Sequence, residues 1–390
     1  MNAVKAGSVV VLLLGGLLGT LGGVPWVAVG GVATVALIVS TMVHDGPHRV
    51  LFIVIMIMLV GVASARLAIA ASASSVPPFE YRDVKIAALL TTTPLSAMAA
   101  VLVRRTNSIT SFAHSWLIVM VPLAVLASAS AAGDVRSEVF GANPVWAGRA
   151  MAGALIVTAW LGLARGGGLR KGLLFLLACL MLAGLFATGS RGPALGATVG
   201  IVLVLFVRPQ PLGNRLVRFL ATASVVAAAA ITIPGLMSSR VVTTVTGGVV
   251  DNNADLRLDA WSATLRMIAD NPFGVGLGNW YAIVPNYGFR PDDSLPYPHN
   301  LPLEVFAELG WIAGTLLMCT SLIALRRVWR GSRSGGRPEL LVLALFACES
   351  ISVCFSGDMT GRVWWFFLML ALIVEPKCAP DSNRGALPVV

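Results

Sequence analysis

Apolar runs of about 20 residues recur from one end of this chain to the other, and they limit its possible folds more than any other feature. A helix of that length crosses about 30 Å of hydrocarbon. The composition agrees, because 57% of the 390 residues are hydrophobic, 12% are charged and the mean hydropathy is +0.84. A single soluble core cannot bury so large an apolar share. We therefore predict an all-α integral membrane protein with about 12 transmembrane helices.

The predicted spans lie near residues 8–24, 25–43, 50–71, 85–103, 112–131, 144–164, 172–188, 193–207, 217–236, 302–325, 339–356 and 361–375. The first run is rich in glycine and resembles a signal peptide. It has no convincing Ala-x-Ala cleavage site and another span follows at once, so we interpret it as a helix. The predicted organisation is nine helices over residues 1–236, a long outer segment over 237–301, three helices over 302–375 and a tail over 376–390.

Basic residues are concentrated on one side of this topology. Of the 28 Lys and Arg residues, 17 fall in segments on the side of the N-terminus, where only four acidic residues accompany them. The positive-inside rule then predicts cytoplasmic N- and C-termini and a periplasmic long segment. Topology and attraction to anionic lipid account for the net charge of +10, and no nucleic-acid partner is expected. The five cysteines lie in spans or in the inner tail, so neither disulfides nor a thiolate metal site is expected.

The long outer segment contains one predicted amphipathic helix, residues 255–269 (DLRLDAWSATLRMIA), which Asn271-Pro272 ends. At 100° per residue, the expected apolar stripe is Leu258, Trp261, Leu265 and Ile268. Arg257 lies at the edge of this stripe and is expected to face the membrane helices. Arg266 is expected to face water and to pair with Asp270.

One histidine stands between this segment and the next span, in the stretch DSLPYPHNLPLEVFAELGW. Pro296 and Pro298 favour an extended approach to His299, Asn300 is expected to cap the following helix, and Pro302 is tolerated in its first turn. Of the four histidines, His299 alone is expected on the outer side. An imidazole, whose ordinary pKa is about 6.5, can accept a proton at neutral pH. The residues leave a structural and a catalytic role equally open.

Arg191 interrupts two apolar runs in ATGSRGPALG. Either it extends to lipid headgroups or it forms part of an anion site, and the segment alone does not separate these roles. Gly274, Gly276 and Gly278 follow a predicted helix, so we expect a tight turn and not a dinucleotide site. Asp292 and Asp293 are expected to be solvated acidic residues of a loop, and no metal site is predicted.

Three of these stretches resemble motifs of the O-antigen ligase and polymerase superfamily. HNLPLEVFAELGW resembles its His-Asn, nine residues, Gly pattern, with Trp311 where leucine is common; the stretch from Arg257 to Trp280 is similar to its Arg-x-x-x-Trp helix and Pro-x-x-Gly-x-Gly-x-Gly-Asn turn. ATGSRGPALG resembles its Ser-Arg-Gly hairpin. The motifs occur in family order over residues 172–325.

The resemblance implies a GT-C-type membrane glycosyltransferase of the bacterial inner membrane with a periplasmic active site. It implies an undecaprenyl-diphosphate-linked glycan as donor, transferred en bloc to a sugar hydroxyl of lipid A core, without nucleotide, cofactor or metal. His299 matches the family's essential histidine, and Arg191 and Arg257 match its two arginines, for which we expect diphosphate binding. Asn300 and Glu304 are possible supporting residues. Glu304 can orient His299 or bind sugar hydroxyls, whereas the helix dipole is enough to explain Glu308.

Two other functions remain open. A polysaccharide polymerase would join undecaprenyl-diphosphate-linked repeat units with similar chemistry, and it differs from the ligase in its acceptor. A transporter often has 12 helices, but it would be expected to show internal repeats and mid-membrane charges, which we do not find. Further outer arginines can help to hold diphosphate or acidic sugars and are not ranked: Arg66, Arg136, Arg149 and Arg290. Arg362 is expected to anchor the chain at the interface.

Overall fold

The computed structural model describes residues 80–104, 106–130, 143–163, 168–207, 252–291, 296–334 and 337–374, together with residues 9, 10 and 13. Within these ranges every long element is an α-helix. The helices are α1 (Glu80–Val103), α2 (Thr106–Ser130), α3 (Pro144–Gly162), α4 (Gly168–Ala187), α5 (Arg191–Phe206), α6 (Asn252–Asp270), α7 (Trp280–Ile283), α8 (Leu301–Arg333), α9 (Arg337–Ser356) and α10 (Arg362–Ile373). A short 3-10 helix, Val284–Tyr287, follows α7.

Five of these helices, α2, α3, α4, α8 and α9, are long and apolar enough to cross a membrane, and α5 and α10 are shorter apolar helices. This supports a helical membrane protein. Eight of the twelve predicted spans coincide with described helices to within several residues at most ends. The spans near 25–43, 50–71 and 217–236, and nearly all of 8–24, lie outside the described residues. The count of twelve, the division into segments and the orientation in the membrane stay predictions.

A row of glycines brings α5 close to α9. A Cβ at Gly196 would lie 2.5 Å from the carbonyl oxygen of Cys348, and one at Gly192 would lie 3.2 Å from Phe355 Cβ. Gly200 continues the row, since its added Cβ would meet Ala344 O at 3.0 Å. Small residues spaced four apart let two helix backbones approach in this way. The packing fixes the beginning of α5 against the end of α9.

Helix α8 is interrupted at Gly310, whose backbone (φ 83°, ψ 179°) is not helical. The glycine turn, residues 272–279, packs into this interruption. Its backbone hydrogen bonds to α8 are Val275 N–H to Ala307 O at 2.9 Å, Gly276 N–H to Glu308 O at 2.9 Å, and Trp311 N–H to Pro272 O at 2.8 Å. Gly274, Gly276 and Gly278 all have positive φ, which confirms the predicted tight turn.

The predicted apolar stripe of α6 is wrong in part. Leu258 and Leu265 are exposed, and the buried arc combines small or polar residues (Ala260, Ala263 and Thr264) with Met267 and Ile268. Thr264 is tolerated there because its hydroxyl donates to Ala260 O and accepts the Trp280 indole N–H. The predicted Arg266–Asp270 pair is also wrong, because Arg266 donates to Ser262 Oγ and Tyr287 O instead.

Candidate functional site

His299 is the first unusual feature at the start of α8. Its backbone is left-handed (φ 52°), the only non-glycine residue in the described part of the chain with positive φ. The extended backbone expected to lead up to His299 therefore ends at Pro298. The predicted cap is confirmed, because the Asn300 side chain accepts the Leu303 N–H at 3.1 Å, and Pro302 lies in the first turn. The Tyr297 ring lies against the imidazole, with centroids 4.2 Å apart.

Helix α6 holds this segment. The Trp261 indole N–H donates to Pro298 O at 2.7 Å, and its ring packs against Phe355 with centroids 6.3 Å apart. One turn earlier, Arg257 Nη1 donates to Phe355 O at 2.9 Å. This bond confirms that Arg257 faces the membrane-spanning helices. The Arg-x-x-x-Trp spacing puts both side chains on one face, so α6 ties the His299 segment to the end of α9.

Arg191 is the first residue of α5, after the extended Ser190. Its neighbour Gly192 lies against Phe355 and Ser356 of α9. Both arginine-bearing elements therefore meet α9 at its last turn, Arg257 by a hydrogen bond and Arg191 through the packing of the next residue. The roles of Arg191, Arg257, His299, Asn300 and Glu304 in catalysis stay predictions.

Below His299, the first turns of α8 contain a buried charge cluster. Glu304 and Glu308 are both buried, and Lys85 of α1, with no exposed surface, forms an ion pair with each. Nζ lies 2.7 Å from Glu308 Oε2. Two backbone N–H groups complete the carboxylate contacts: Met359 donates to Glu304 and Gly278 to Glu308, each at 2.8 Å. The helix dipole alone is therefore not enough to explain Glu308, because its buried carboxylate accepts hydrogen bonds from α1 and from the glycine turn.

Sequence reasoning missed Lys85, although a lysine beside an apolar run was a signal. A Cβ at Gly278 would lie 2.5 Å from Arg82 Cγ, so α1 also contacts the glycine turn closely. The cluster therefore fixes α1, the glycine turn, α8 and the loop before α10 relative to one another. These are the segments that surround the beginning of α8.

Arg149 was one of the unranked outer arginines, and the structure gives it a partner. It is buried in α3, and its Nε donates to Glu349 Oε2 of α9 at 2.9 Å. Arg149 and Asp358, in the loop after α9, both act electrostatically on Tyr297. Burial, reinforced by the charges of Asp358 and Glu304, raises the pKa of the Tyr297 phenol well above its ordinary value. The phenol next to His299 is therefore neutral at physiological pH.

The remaining predicted residues have simpler positions. Arg290 is exposed and Arg362, at the start of α10, is partly exposed. Arg66, Arg136, Asp292 and Asp293 lie outside the described residues. In the described ranges, no group of three or more His, Cys, Asp or Glu side chains is arranged to hold a metal ion. Cys179, Cys319, Cys348 and Cys354 are free thiols.

The comparisons with known proteins agree with these features. The family model described as O-antigen ligase matches residues 176–318, a segment that contains Arg191, the α6 helix, the glycine turn and His299. No curated protein matches the chain. The family match supports an O-antigen ligase-family protein. Lys85, Arg149 and Glu349 lie outside the matched segment.

Proposed function

We propose that this chain is an O-antigen ligase of the family to which it is similar, a GT-C-type glycosyltransferase that transfers a glycan en bloc from undecaprenyl diphosphate to a sugar hydroxyl of lipid A core. The reaction completes lipopolysaccharide on the periplasmic face of the inner membrane. One observation carries the proposal. A conformationally strained histidine, His299, is anchored through Pro298 and Trp261 to α6, the helix that bears Arg257. Helix α6 contacts the end of α9, and the beginning of α5, with Arg191, packs against the same end.

His299 is the proposed base. Its Nδ1 atom is buried, and we assign proton acceptance to Nε2. A left-handed backbone costs about 1 to 3 kcal/mol and persists only where the surroundings enforce it. Here the cap at Asn300, the Tyr297 ring and the bond from Trp261 to Pro298 O supply that enforcement. Such preorganisation suits a group that must accept a proton from one particular direction.

Arg191 and Arg257 are the proposed diphosphate ligands. A guanidinium offers a planar fork of donors that matches phosphate oxygens, and in a partly dry site it stabilises the charge that develops on a leaving phosphate. Arg257 is half-buried and donates to Phe355 O at the end of α9. Arg191 is likewise partly exposed.

The proposed step is a single displacement. The acceptor oxygen forms a bond to the anomeric carbon while the bond from that carbon to the diphosphate oxygen breaks. The hydroxyl proton passes to His299, and undecaprenyl diphosphate leaves with the bonding electron pair. Attack from the face opposite the leaving group inverts the anomeric centre. No cofactor takes part in this proposal.

The polymerase remains the alternative, because the two activities share this chemistry and the family contains both. The test is glycan transfer by the purified protein in detergent with a chelator present, offering undecaprenyl-diphosphate-linked O-polysaccharide and lipid A core. His299→Ala is compared with wild type. His114→Ala is the matched control, because His114 is an exposed histidine of α2 whose hydrogen bond, in the described part of the chain, is to Thr110 O of the same helix.

Transfer to the core that disappears in His299→Ala and persists in His114→Ala supports the ligase. A donor that lengthens without a core product replaces the ligase with a polymerase. Absence of both products with authentic substrates overturns the glycosyltransferase proposal and makes transport the function to test.

A further inference from the structure

Exposed apolar residues follow one edge of α6. Its exposed arc, drawn at 100° per residue, is divided in two. Leu258 and Leu265, two turns apart, are 58% and 56% exposed and occupy one edge of the arc. The other edge carries Asp255, Asp259, Arg266 and Asp270, and it is polar apart from Leu256, which is 41% exposed at its far end.

This leucine edge lies on the side of α6 that faces Trp311. The Trp311 indole N–H donates to Ile268 O at 3.1 Å, and Ile268 is one turn beyond Leu265 on that side of α6. Trp311 also donates its backbone N–H to Pro272 O, next to Phe273, which is 85% exposed. Trp311, which replaces the leucine common at this position, therefore joins α6 and the glycine turn to α8.

Beyond Trp311 the exposed apolar surface continues along α8. Ile312 is 71% exposed, and Leu316, Leu322 and Ile323 are also exposed on this helix. Helix α8 is one of the five helices long and apolar enough to span a membrane, so we expect this exposed face to meet lipid. The leucine edge of α6 is thus continuous with a lipid-facing helix surface and is not an isolated patch.

We propose that α6 is an interfacial helix whose leucine edge, with Phe273 and Trp311, is embedded in the lipid leaflet at the His299 end of α8. Leucine and aromatic residues on one edge with charges on the other are what a helix in the interface plane requires. A tryptophan whose indole N–H is satisfied while its ring is exposed is typical of the membrane boundary. The occupant is the acyl and headgroup region of the bilayer.

This placement does not depend on the proposed function. It has a consequence for the site, because Arg257 and Trp261 belong to the same helix. A helix held at the level of the lipid headgroups keeps Arg257 at the depth where a lipid-linked phosphate resides. The leucine edge then acts as an anchor that sets the height of the arginine.

The test is photo-crosslinking of the full-length protein reconstituted in phospholipid vesicles. p-Benzoylphenylalanine replaces Leu258, Leu265 or Phe273, one position at a time, and covalent adducts are identified by mass spectrometry. These side chains are largely exposed, so their replacement removes little buried contact. Ile312 on α8 is the positive control, and Asp259 and Arg266 on the polar edge of α6 are the matched negative controls.

We expect lipid adducts at positions 258, 265 and 273, as at position 312, and no lipid adducts at positions 259 and 266. Three results overturn the proposal while position 312 still yields lipid adducts. The first is that positions 258 and 265 give no lipid adduct. The second is that they crosslink to another segment of this chain, and the third is that they crosslink to a second copy of the protein.

Discussion

Lys85 Nζ lies 2.7 Å from Glu308 Oε2, although 223 residues separate them along the chain. The same ammonium group forms an ion pair with Glu304, and none of the three side chains has more than 2% of its surface exposed. Since a buried charge requires compensation, this cluster makes the start of α8 dependent on α1.

Replacing Lys85 should destabilise the protein. Lys85→Met leaves two carboxylates buried without their cation, and removal of one partner from a buried ion pair costs about 3 to 5 kcal/mol. A lowered thermal unfolding midpoint in detergent would report this loss. The matched control is Lys171→Met, because Lys171 is exposed on α4. Adding Glu308→Gln to Lys85→Met should restore part of the loss; an unchanged midpoint in Lys85→Met would contradict the cluster.

The hydrogen bond from Trp261 to Pro298 O should affect glycan transfer more than folding. Trp261→Phe removes the donor and keeps an aromatic ring beside Phe355. One neutral hydrogen bond contributes about 1 kcal/mol, so we expect transfer to slow by about fivefold if the bond positions His299. Trp329→Phe, at the other end of α8, controls for loss of an indole. A rate equal to wild type would show that this bond does not position His299.

Arg257→Ala should reduce transfer by about 100-fold, as expected for loss of a preorganised donor to a leaving group. Arg266→Ala is the control, since Arg266 belongs to the same helix and is exposed on its polar edge. Arg257→Lys should recover only part of the rate, because lysine lacks the planar fork. Equal rates in Arg257→Ala and Arg266→Ala would remove Arg257 from the proposed mechanism.

Gly310→Ala should destabilise the interruption in α8. The position has φ 83°, and an added Cβ would lie 2.5 Å from the Phe273 carbonyl carbon and 2.7 Å from Pro272 O. Backbone strain alone costs about 1 to 3 kcal/mol, and the contacts involve backbone atoms that cannot rotate away. Gly172→Ala is the matched control, because no atom lies within 4 Å of a Cβ at that helical position. Equal unfolding midpoints for the two variants would argue against the observed packing of the glycine turn.

Tyr297 should remain protonated at pH values at which an ordinary phenol ionises. Its raised pKa means that the folded protein holds this proton more tightly than the unfolded chain does. Its contribution to stability is therefore complete below the unfolded pKa of about 10 and is lost as the pH rises towards the folded pKa. In a spectrophotometric titration to about pH 10, Tyr297→Phe should give the same tyrosinate amplitude as wild type. A smaller tyrosinate amplitude in Tyr297→Phe than in wild type would contradict the burial of this phenol.

Local features of the site followed from the sequence. The Asn300 cap, the proline in the first turn of α8 and the tight turn at Gly274, Gly276 and Gly278 depend on a few neighbouring residues. Capping, a fixed proline φ and the tolerance of glycine for positive φ act over that distance. The order of Arg191, Arg257 and His299 along the chain was also sufficient to suggest the family that the comparison supports.

The tertiary structure alone decided which surfaces meet. Periodicity grouped Leu258 and Leu265 with Trp261, but a helical wheel does not say which arc faces protein and which faces lipid. Lipid accommodates leucine as readily as a protein core does, so small residues could take the buried arc. Likewise, the partners of Lys85 lie more than 200 residues away, and no local pattern can specify a pairing that depends on how α1 packs against α8. The sequence by itself determined the apolar helices among the described residues, the Asn300 cap and the glycine turn, and packing determined the charge cluster beneath His299.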